Sequence, residues 1–363
     1  MKHPTKKHRI VVAMSGGVDS SVVAYLLKKQ GHEVIGVSMR LWTYEKEAKH
    51  GCCTPEDLYD ARRVADHLDI PYYVTDFEKT FEQDVVDRFV QSYIDGETPN
   101  PCVRCNQDIK FKILLQRAQE LGAQYLATGH YARIVQNSYK QYELHQAVDQ
   151  ERDQSYFLFG LSQEEMSKVL FPLGELHKPQ VRVLAEQAGL NIAQKPDSQE
   201  ICFVPDDYSQ FVEKRVQSKQ IRQGKIKNTD GEVIGDHEGV HRYTVGQRKG
   251  LSLKTTLPMY VLSIEKNGDL TVGHKSDLRK KDFSVRDLRW TLDKPEPGKR
   301  LSAKIRSRFA PADIDIVDYQ NDSDEEFVQA RFVDPQESIS PGQAAVFYEG
   351  SRVVGGGWIR SQA

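Results

Sequence analysis

Two groups of residues in this chain have types and spacings that do chemistry. The first is Ser15-Gly16-Gly17-Val18-Asp19-Ser20-Ser21, set between the apolar run Ile10-Val11-Val12-Ala13-Met14 and the helical pattern Val22-Val23-Ala24-Tyr25-Leu26-Leu27. A strand that empties through two glycines and three hydroxyls into a helix makes a cradle for phosphate or pyrophosphate. Glycine lets the backbone approach closely, first-turn N–H groups have no intrahelical partner, and the helix dipole favours an anion. The segment lacks the G-K-[ST] ending of a Walker loop and is not G-x-G-x-x-G. The second group is thiols. Cys102-Val103-Arg104-Cys105-Asn106 follows the proline-rich Thr98-Pro99-Asn100-Pro101, and Cys202 lies in the polar stretch Lys195-Pro196-Asp197-Ser198-Gln199-Glu200-Ile201-Cys202-Phe203. Asn106 reads as a helix cap, which places Cys105 beside first-turn N–H groups and near Arg104 and Lys110, surroundings that lower a thiol pKa. A small buried hydrophobe is the plain alternative for Cys202, and C-x-x-C with Cys52-Cys53 leaves a zinc or iron–sulfur site open. The remaining cysteines form no second C-x-x-C, which argues against a closed four-ligand site.

The elements that position these groups alternate in the first half. Ile10 to Met14 is a strand and its helix closes at Gly31; Glu33 to Met39 is the second strand. Thr54-Pro55-Glu56-Asp57 opens a helix with a capping residue, a first-turn proline and acids. A strand over Pro71 to Asp76, a helix from Phe81 to Ile94, a helix from Asn106 closed by Gly122, and a strand over Tyr125 to Thr128 follow. This repetition predicts a doubly wound parallel α/β sheet with ligands at the strand C-termini. Ser162 with Glu165 is a capping box, and Lys178-Pro179 opens a helix ending at Gly189. Beyond Pro205 the chain turns mainly β, with hairpin signals at Asp230-Gly231 and Asn267-Gly268 and regularly spaced short strands from Phe283. Within Leu301 to Phe309, alternation assigns Leu301, Ala303, Ile305 and Phe309 to a core and Lys304, Arg306 and Arg308 to a basic face suited to phosphates.

Composition frames this reading. At 363 residues the chain suits two or three domains. Charged residues make up 28% and no apolar run approaches the roughly 18 residues that span a bilayer. Five cysteines, an odd number in a large chain, point to a reducing cytoplasm rather than a secreted disulfide framework. A net charge of −2 excludes a globally basic nucleic-acid binder, so any such partner needs a local basic surface.

The glycine loop resembles the PP-loop (SGGxDS) of the ATP pyrophosphatase superfamily, whose members cleave ATP between the α and β phosphates. The wider set of motifs resembles the tRNA-specific 2-thiouridylase (MnmA/TrmU) family from about Arg9 to the C-terminus. It comprises SGGVDSS, the strand-end Met39, TPNP followed by Cys105-Asn106, ATGHYAR at Ala127 to Arg133, and RDQSYFL at Arg152 to Leu158. KPDSQEICFV at Lys195 to Val204, YTVGQRKGL at Tyr243 to Leu251 and PGQ at Pro341 to Gln343 complete it.

The resemblance implies a PP-loop, adenine nucleotide α hydrolase-like domain over residues 1–205, a small central mainly β tRNA-binding domain over 206–280, and a C-terminal β-barrel over 281–363. It implies sulfur transfer to the wobble uridine, position 34, of tRNA. ATP adenylates the C2 oxygen; sulfur from a persulfide on Cys202, with Cys105 as nucleophile, then displaces AMP. Direct persulfide attack and hydrosulfide release both remain open. Ser15, Gly16, Gly17, Val18, Asp19, Ser20 and Ser21 match the phosphate-holding positions, with Asp19 helping to place Mg²⁺. Met39 and Gly129 match adenosine contacts. Asn100, Pro101 and Cys102 match the segment that meets the target base, while His130, Arg152, Asp153, Gln154, Arg306, Ser307 and Gln343 match tRNA contacts. Many relatives carry Asp where this chain has Cys102, which opens a second candidate nucleophile or a vicinal redox pair. Expected partners are tRNAs with Lys, Glu and Gln anticodons and a sulfur donor, either a cysteine desulfurase or a sulfur-relay protein. The chemistry requires a target base flipped into the pocket and a mobile Asp197 to Phe203 segment closing over it.

Overall fold

Ile10, Val11 and Val12 are wholly buried in β1 (Arg9–Ala13), as a central strand covered on both faces must be. The computed structural model containing it describes residues 6–43, 54–196, 201–204, 207–322 and 325–361. The chain divides into two units, Met1–Val85 with Cys102–Pro205 and Ser351–Val353, and Val86–Pro101 with Asp206–Gly350 and Val354–Ala363.

In the first unit β1 is followed by β2 (Glu33–Arg40), β3 (Tyr72–Asp76) and β4 (Tyr125–Ala127). An antiparallel hairpin of β5 (Ala132–Gln136) and β6 (Tyr142–Gln146) then precedes β7 (Val169–Leu170). The sheet is parallel with order β3-β2-β1-β4-β7. The chain works outward from β1 to β3 and returns to the other side of β1 for β4, so the order reverses between β1 and β4. That is where an open α/β sheet binds ligands. Helices α1 (Val18–Lys29), α2 (Pro55–His67) and α3 (Lys178–Gln187) contribute Val22, Val23, Leu27, Val64 and Val181 to the core that includes Ile10 and Val12. Their ends are those the sequence predicts: Gly31 lies just past α1 at φ +85°, Thr54 and Asp57 form a reciprocal capping box on α2, and Gly189 follows α3 at φ +67°. The β5–β6 hairpin was not expected. The sequence reading assigned no element to Ala132–Gln136 or Tyr142–Gln146; only Ala132 and Arg133 fall within a motif it singled out.

In the second unit β8 (Gly224–Lys227), β9 (Val233–His237), β10 (Tyr260–Ile264) and β11 (Leu270–Gly273) form a sheet of order β10-β11-β8-β9. Both expected hairpins are present, with Gly231 at φ +82° and Gly268 at φ +98°. Six further strands are β12 (Arg279–Trp290), β13 (Arg300–Lys304), β14 (Ala312–Asp322), β15 (Glu325–Glu337), β16 (Ala344–Glu349) and β17 (Arg352–Ile359). They run in the order β12-β15-β14-β13-β16-β17, and β12 also pairs with β17, so the barrel closes. Leu301, Ala303 and Ile305 face its core as the alternation requires, but the strand stops at Lys304 and the chain turns. The expected basic face is therefore corrected: Lys304 is buried and Phe309 is exposed, because period-2 alternation ends where extended backbone ends.

The same unit fastens the segment before Cys102. Thr98 donates its N–H to the Pro341 carbonyl at 2.8 Å, and Gln343 Nε2 donates to the carbonyls of Thr98 and Pro99 at 2.9 and 3.1 Å. Arg286 Nη2 reaches both carboxylate oxygens of Glu97 at 2.8 and 2.9 Å. No helix among the described residues is long and apolar enough to cross a membrane.

Burial pushes the Glu97 carboxyl above its usual range while Arg286 pulls it down. With the folded value raised, the stability linked to this carboxyl is present at low pH and is lost as pH rises through that value. Replacing Arg286 by Met leaves the carboxylate without its charged donor and is expected to cost about 1–3 kcal/mol at pH 7. Denaturant unfolding of variant and parent at pH 7 and pH 5 checks this: the difference should shrink at pH 5, as the carboxyl takes up a proton.

Candidate active site

The glycine-rich turn meets α1 at the carboxyl end of β1. Gly17 caps the helix in extended backbone without a side-chain cap, which leaves the first-turn N–H groups directed at the loop side. The hydroxyls brace this turn: Ser20 Oγ and Ser21 Oγ donate to the Gly17 carbonyl at 3.2 and 2.9 Å, and the Ser15 N–H donates to Ser20 Oγ at 3.2 Å. Two glycines permit close approach. Gly16, at φ +71°, lies where a Cβ would run into the Asp57 carbonyl at the start of α2. At Gly129 a Cβ would sit 2.9 Å from the Ser20 nitrogen and 3.0 Å from Asp19 Cβ.

A cavity of about 310 Å³ opens on this turn. Ser15, Gly17, Val18, Asp19 and Ser20 line it, with Met39 from the end of β2 and Gly129 just past β4. His130, Arg152 and Gln154 line the same space. Residues expected to hold ATP and residues expected to touch tRNA are thus brought together. Ser21 and Gly16 do not line the cavity: Ser21 braces the turn through the Gly17 carbonyl, and Gly16 abuts the Asp57 backbone. Asp153 accepts from the N–H groups of Ala147 and Ser155 and from Ser155 Oγ, so it shapes the turn that presents its two neighbours. In the other unit, Arg306 Nη2 donates to Ser340 Oγ at 2.9 Å and to the Val245 and Ser338 carbonyls at 3.4 and 3.3 Å, with half-buried Ser307 beside it. Asn100 is half-buried and Pro101 buried.

Cavity electrostatics involve residues the sequence reading did not single out as site residues. Lys178 Nζ, nearly buried, contacts both Asp19 carboxylate oxygens at 2.8 Å, and the Tyr131 hydroxyl donates to Asp19 Oδ1 at 2.8 Å. Lys195 Nζ pairs with Asp57 Oδ1 at 2.8 Å and Asp60 Oδ2 at 2.7 Å, and the two carboxylates hold its pKa above the usual lysine value against burial. Desolvation among its neighbours, reinforced by the Lys110 charge, pushes half-buried His130 well below the ordinary histidine range, so it is neutral at pH 7; its Nδ1 lies 2.7 Å from Thr128 Oγ1. Lys178 was visible only as the opening of a helix, Asp57 only as a cap, and Tyr131 only as a letter of a motif.

The cysteine helix starts earlier than expected. Pro101 opens it, as proline with its preset φ does at a first helical position, so Cys105 begins the second turn and Asn106 is not its cap. Asn106 is buried and donates Nδ2 to the Phe157 carbonyl at 3.1 Å. From Cys105 to Leu114 the helix runs with π-type pitch. That i→i+5 pattern brings Lys110, which lines the cavity, one turn on from Cys105. Cys102 is exposed while Cys105 and Cys202 are half-buried, and all three are thiols. Next to Cys202, Phe203 packs edge-on against Phe81 with centroids 5.6 Å apart and leans on Trp42 at 6.2 Å. The Glu78–Phe81 turn also packs against the helix that carries Cys105. Cys52, Cys53 and residues 197–200 of the expected moving segment lie outside the described residues.

Comparison with known proteins covers nearly the whole chain. Residues 8–206 match the tRNA methyl transferase HUP domain, 209–274 the tRNA methyl transferase PRC-barrel domain, and 280–359 the aminomethyltransferase β-barrel domain. The tRNA-specific 2-thiouridylase MnmA of Geotalea uraniireducens (strain Rf4) is 48% identical over 362 residues, spanning 98% of this chain and 95% of that protein. Proteins of the same name from Geobacter metallireducens and Rickettsia prowazekii are 48% and 44% identical, with at least 97% of each chain covered in both cases. The chain belongs to the MnmA family. Its MnmA architecture is an N-terminal HUP domain on a parallel sheet, a central PRC-barrel domain and a C-terminal β-barrel. Among solved structures, a 4-thiouridine synthetase–RNA complex with bound ATP matches at TM-score 0.35 and 17% identity over 58% of this chain and 50% of that one, too loose a likeness to bear on the site.

Adding a methyl group at Gly129 forces it against backbone of the glycine-rich turn. Gly129→Ala is therefore expected to displace that backbone and lower the unfolding midpoint, and to weaken ATP binding by roughly tenfold or more, about 1.4 kcal/mol. Titration calorimetry with ATP, alongside thermal unfolding, checks both halves of that statement.

Proposed function

We propose that this chain is a tRNA-uridine 2-sulfurtransferase that makes 2-thiouridine at wobble position 34, consuming ATP. The observation that carries the proposal is the cavity at the β1/β4 switch point, lined by the glycine-rich turn, Met39 and Gly129 together with His130, Arg152 and Gln154, in a chain of the MnmA family. The C2 carbonyl of uridine is a poor electrophile and its oxygen a poor leaving group. Attack of that oxygen on the α-phosphate of ATP gives an adenylated base and pyrophosphate, after which sulfur displaces AMP.

The N–H groups opening α1, with Lys110 and Arg152, stabilise the charge that develops on the phosphates. Asp19 suits a cation: a carboxylate has about four acceptor positions, and Lys178 and Tyr131 occupy three. Mg²⁺ held there supplies charge neutralisation for the phosphates. His130, neutral at pH 7, adds no charge to the cavity. Asn100, Pro101 and Cys102 meet the flipped base. Arg306, Ser307, Gln343 and the central domain, residues 206–280, complete the tRNA footprint.

Sulfur arrives as a persulfide on Cys202, recharged by a cysteine desulfurase or a relay protein. Its terminal sulfur bonds to C2 as AMP leaves. The Cys105 thiolate then attacks the Cys202 sulfur, breaking the S–S bond to the base and leaving 2-thiouridine and a Cys105–Cys202 disulfide. Alternatively, Cys105 attacks first and releases hydrosulfide, which displaces AMP, with the same products. External thiols reduce the disulfide. The tRNAs with Lys, Glu and Gln anticodons are the substrates, and the reaction takes place in the cytoplasm.

Mass spectrometry of tRNA nucleosides tests the assignment. Cells lacking this chain should lose 2-thiouridine at position 34, and unchanged levels would end the proposal. Complementation with Cys105→Ser or Cys202→Ser should restore less than about 1% of the modification, because each variant removes a sulfur that forms or breaks a bond. Both variants should still bind ATP. Full activity in either one would point to another PP-loop reaction that needs no thiol.

A further inference from the structure

Thr128 is buried just past β4, where its main-chain N–H donates to the Leu170 carbonyl at 3.2 Å. Its hydroxyl has one oxygen and one proton to place. The oxygen receives the His130 main-chain N–H at 3.5 Å and lies 2.7 Å from His130 Nδ1. Among the described residues that ring nitrogen is the one acceptor within reach of the hydroxyl proton. The proton therefore points at Nδ1, and a neutral imidazole held this way carries its own hydrogen on Nε2. Desolvation and the Lys110 charge keep the ring neutral at pH 7. Two aromatic rings flank it: Phe111 with centroids 5.7 Å apart and Phe171 edge-on at 5.8 Å. Nε2 stands on the opposite edge from Nδ1, has no partner among the described residues, and belongs to a residue that lines the cavity. It is the ring atom left for a ligand.

Resting on the uridine-thiolation reading given above, we propose that Thr128 is a positioning residue that locks His130 as an uncharged Nε2–H donor, and that this donor reads the 4-oxygen of the target uridine. A ring edge that can only donate pairs with a carbonyl oxygen and meets an amino group with like polarity. Uracil presents a carbonyl at C4 where cytosine presents an amine, so the lock separates the two bases. The absence of charge points to the base rather than to a phosphate. Lys110, Arg152 and Lys195 line the same cavity as cations suited to phosphate oxygens, whereas a neutral N–H suits a neutral carbonyl. Without the threonine hydroxyl, the imidazole is no longer tied to one tautomer. The form with its lone pair on Nε2 then faces the carbonyl acceptor to acceptor.

The experiment joins nitrogen NMR of the full-length chain, labelled at histidine, to thiolation assays on tRNA transcripts supplied with ATP, Mg²⁺ and sulfide. At pH 7 the parent should show His130 Nδ1 as an acceptor and Nε2 protonated, the signals being assigned by their loss in His130→Asn. A hydrogen on Nδ1 overturns the inference. Thr128→Val keeps the side-chain shape and removes the hydroxyl. It should lower kcat/KM for tRNA by about tenfold, the worth of one hydrogen bond, while Thr128→Ser restores both the parent value and the parent tautomer. A merely structural Thr128 predicts an activity loss that follows the unfolding midpoint with the Thr128→Val tautomer unchanged, and that result overturns the inference. Transcripts with 4-thiouridine at position 34, whose sulfur is a weak acceptor, test the partner. Losses from Thr128→Val and from the 4-sulfur should be non-additive. Additive losses mean that the donor serves another oxygen, such as a phosphate, and overturn the assignment to the base. Should Thr128→Val fail to fold, the parent tautomer and the parent's loss on 4-thiouridine decide together. Parent protein that thiolates no tRNA would sink the thiolation reading itself, a separate failure, since the His130 tautomer is measured without turnover.

Discussion

The site depends on one constraint: the turn between β1 and α1 must come within van der Waals distance of two other main-chain segments while leaving the start of α1 without a side-chain cap. Gly16 meets the start of α2 and Gly129 meets Ser20 and Asp19, so neither position has room for a Cβ. The serine hydroxyls point back at Gly17 rather than into the cavity. A helix terminus buried in this way is costly unless something satisfies it. The arrangement therefore stores the demand for an anion in the fold itself, and the reversal of strand order beside β1 provides the crevice.

Around that turn, charge is arranged in pairs. Asp19 balances Lys178 and receives Tyr131; Asp57 and Asp60 balance Lys195. Lys178 is 8% exposed and Lys195 half-buried, and each has carboxylate contacts at 2.8 Å or less. Lys195 also connects sequence-distant parts, tying the Lys195-Pro196 stretch to α2. Asp57 therefore has three duties: capping α2, backing Gly16 through its carbonyl, and anchoring Lys195. Such overlap makes local substitutions non-additive.

A different economy governs the second unit. Gln343, Pro341 and Arg286 spend hydrogen bonds on Glu97, Thr98 and Pro99, just before Cys102, and Arg306 is used to knit the loops at 245 and 338–340. Residues matched to nucleic-acid contacts thus have a definite intramolecular role as well. A substitution at Gln343 or Arg306 would alter the shape of a loop along with any contact it makes, so binding data on such variants need a conformational control.

Short-range physics made much of this protein legible from its residues. The glycine turn, the Thr54–Asp57 box, the closing glycines at 31, 122 and 189, and the hairpins at Gly231 and Gly268 are all decided within a few residues, where sterics and caps act. The same local rules failed where extended backbone ended unannounced, exposing Phe309 and burying Lys304, and where Pro101 took the helix start that Asn106 seemed to claim. What no local rule could supply is the set of partners brought together across the chain. Asp19 meets a lysine 159 positions later, and Lys195 meets carboxylates 138 and 135 positions earlier. Sequence alone determined the chemical types available and the turns that display them. Only the tertiary structure decided which charges neutralise one another, because Coulomb energy and desolvation depend on distance in space and on exclusion of water, neither of which is written in the order of residues.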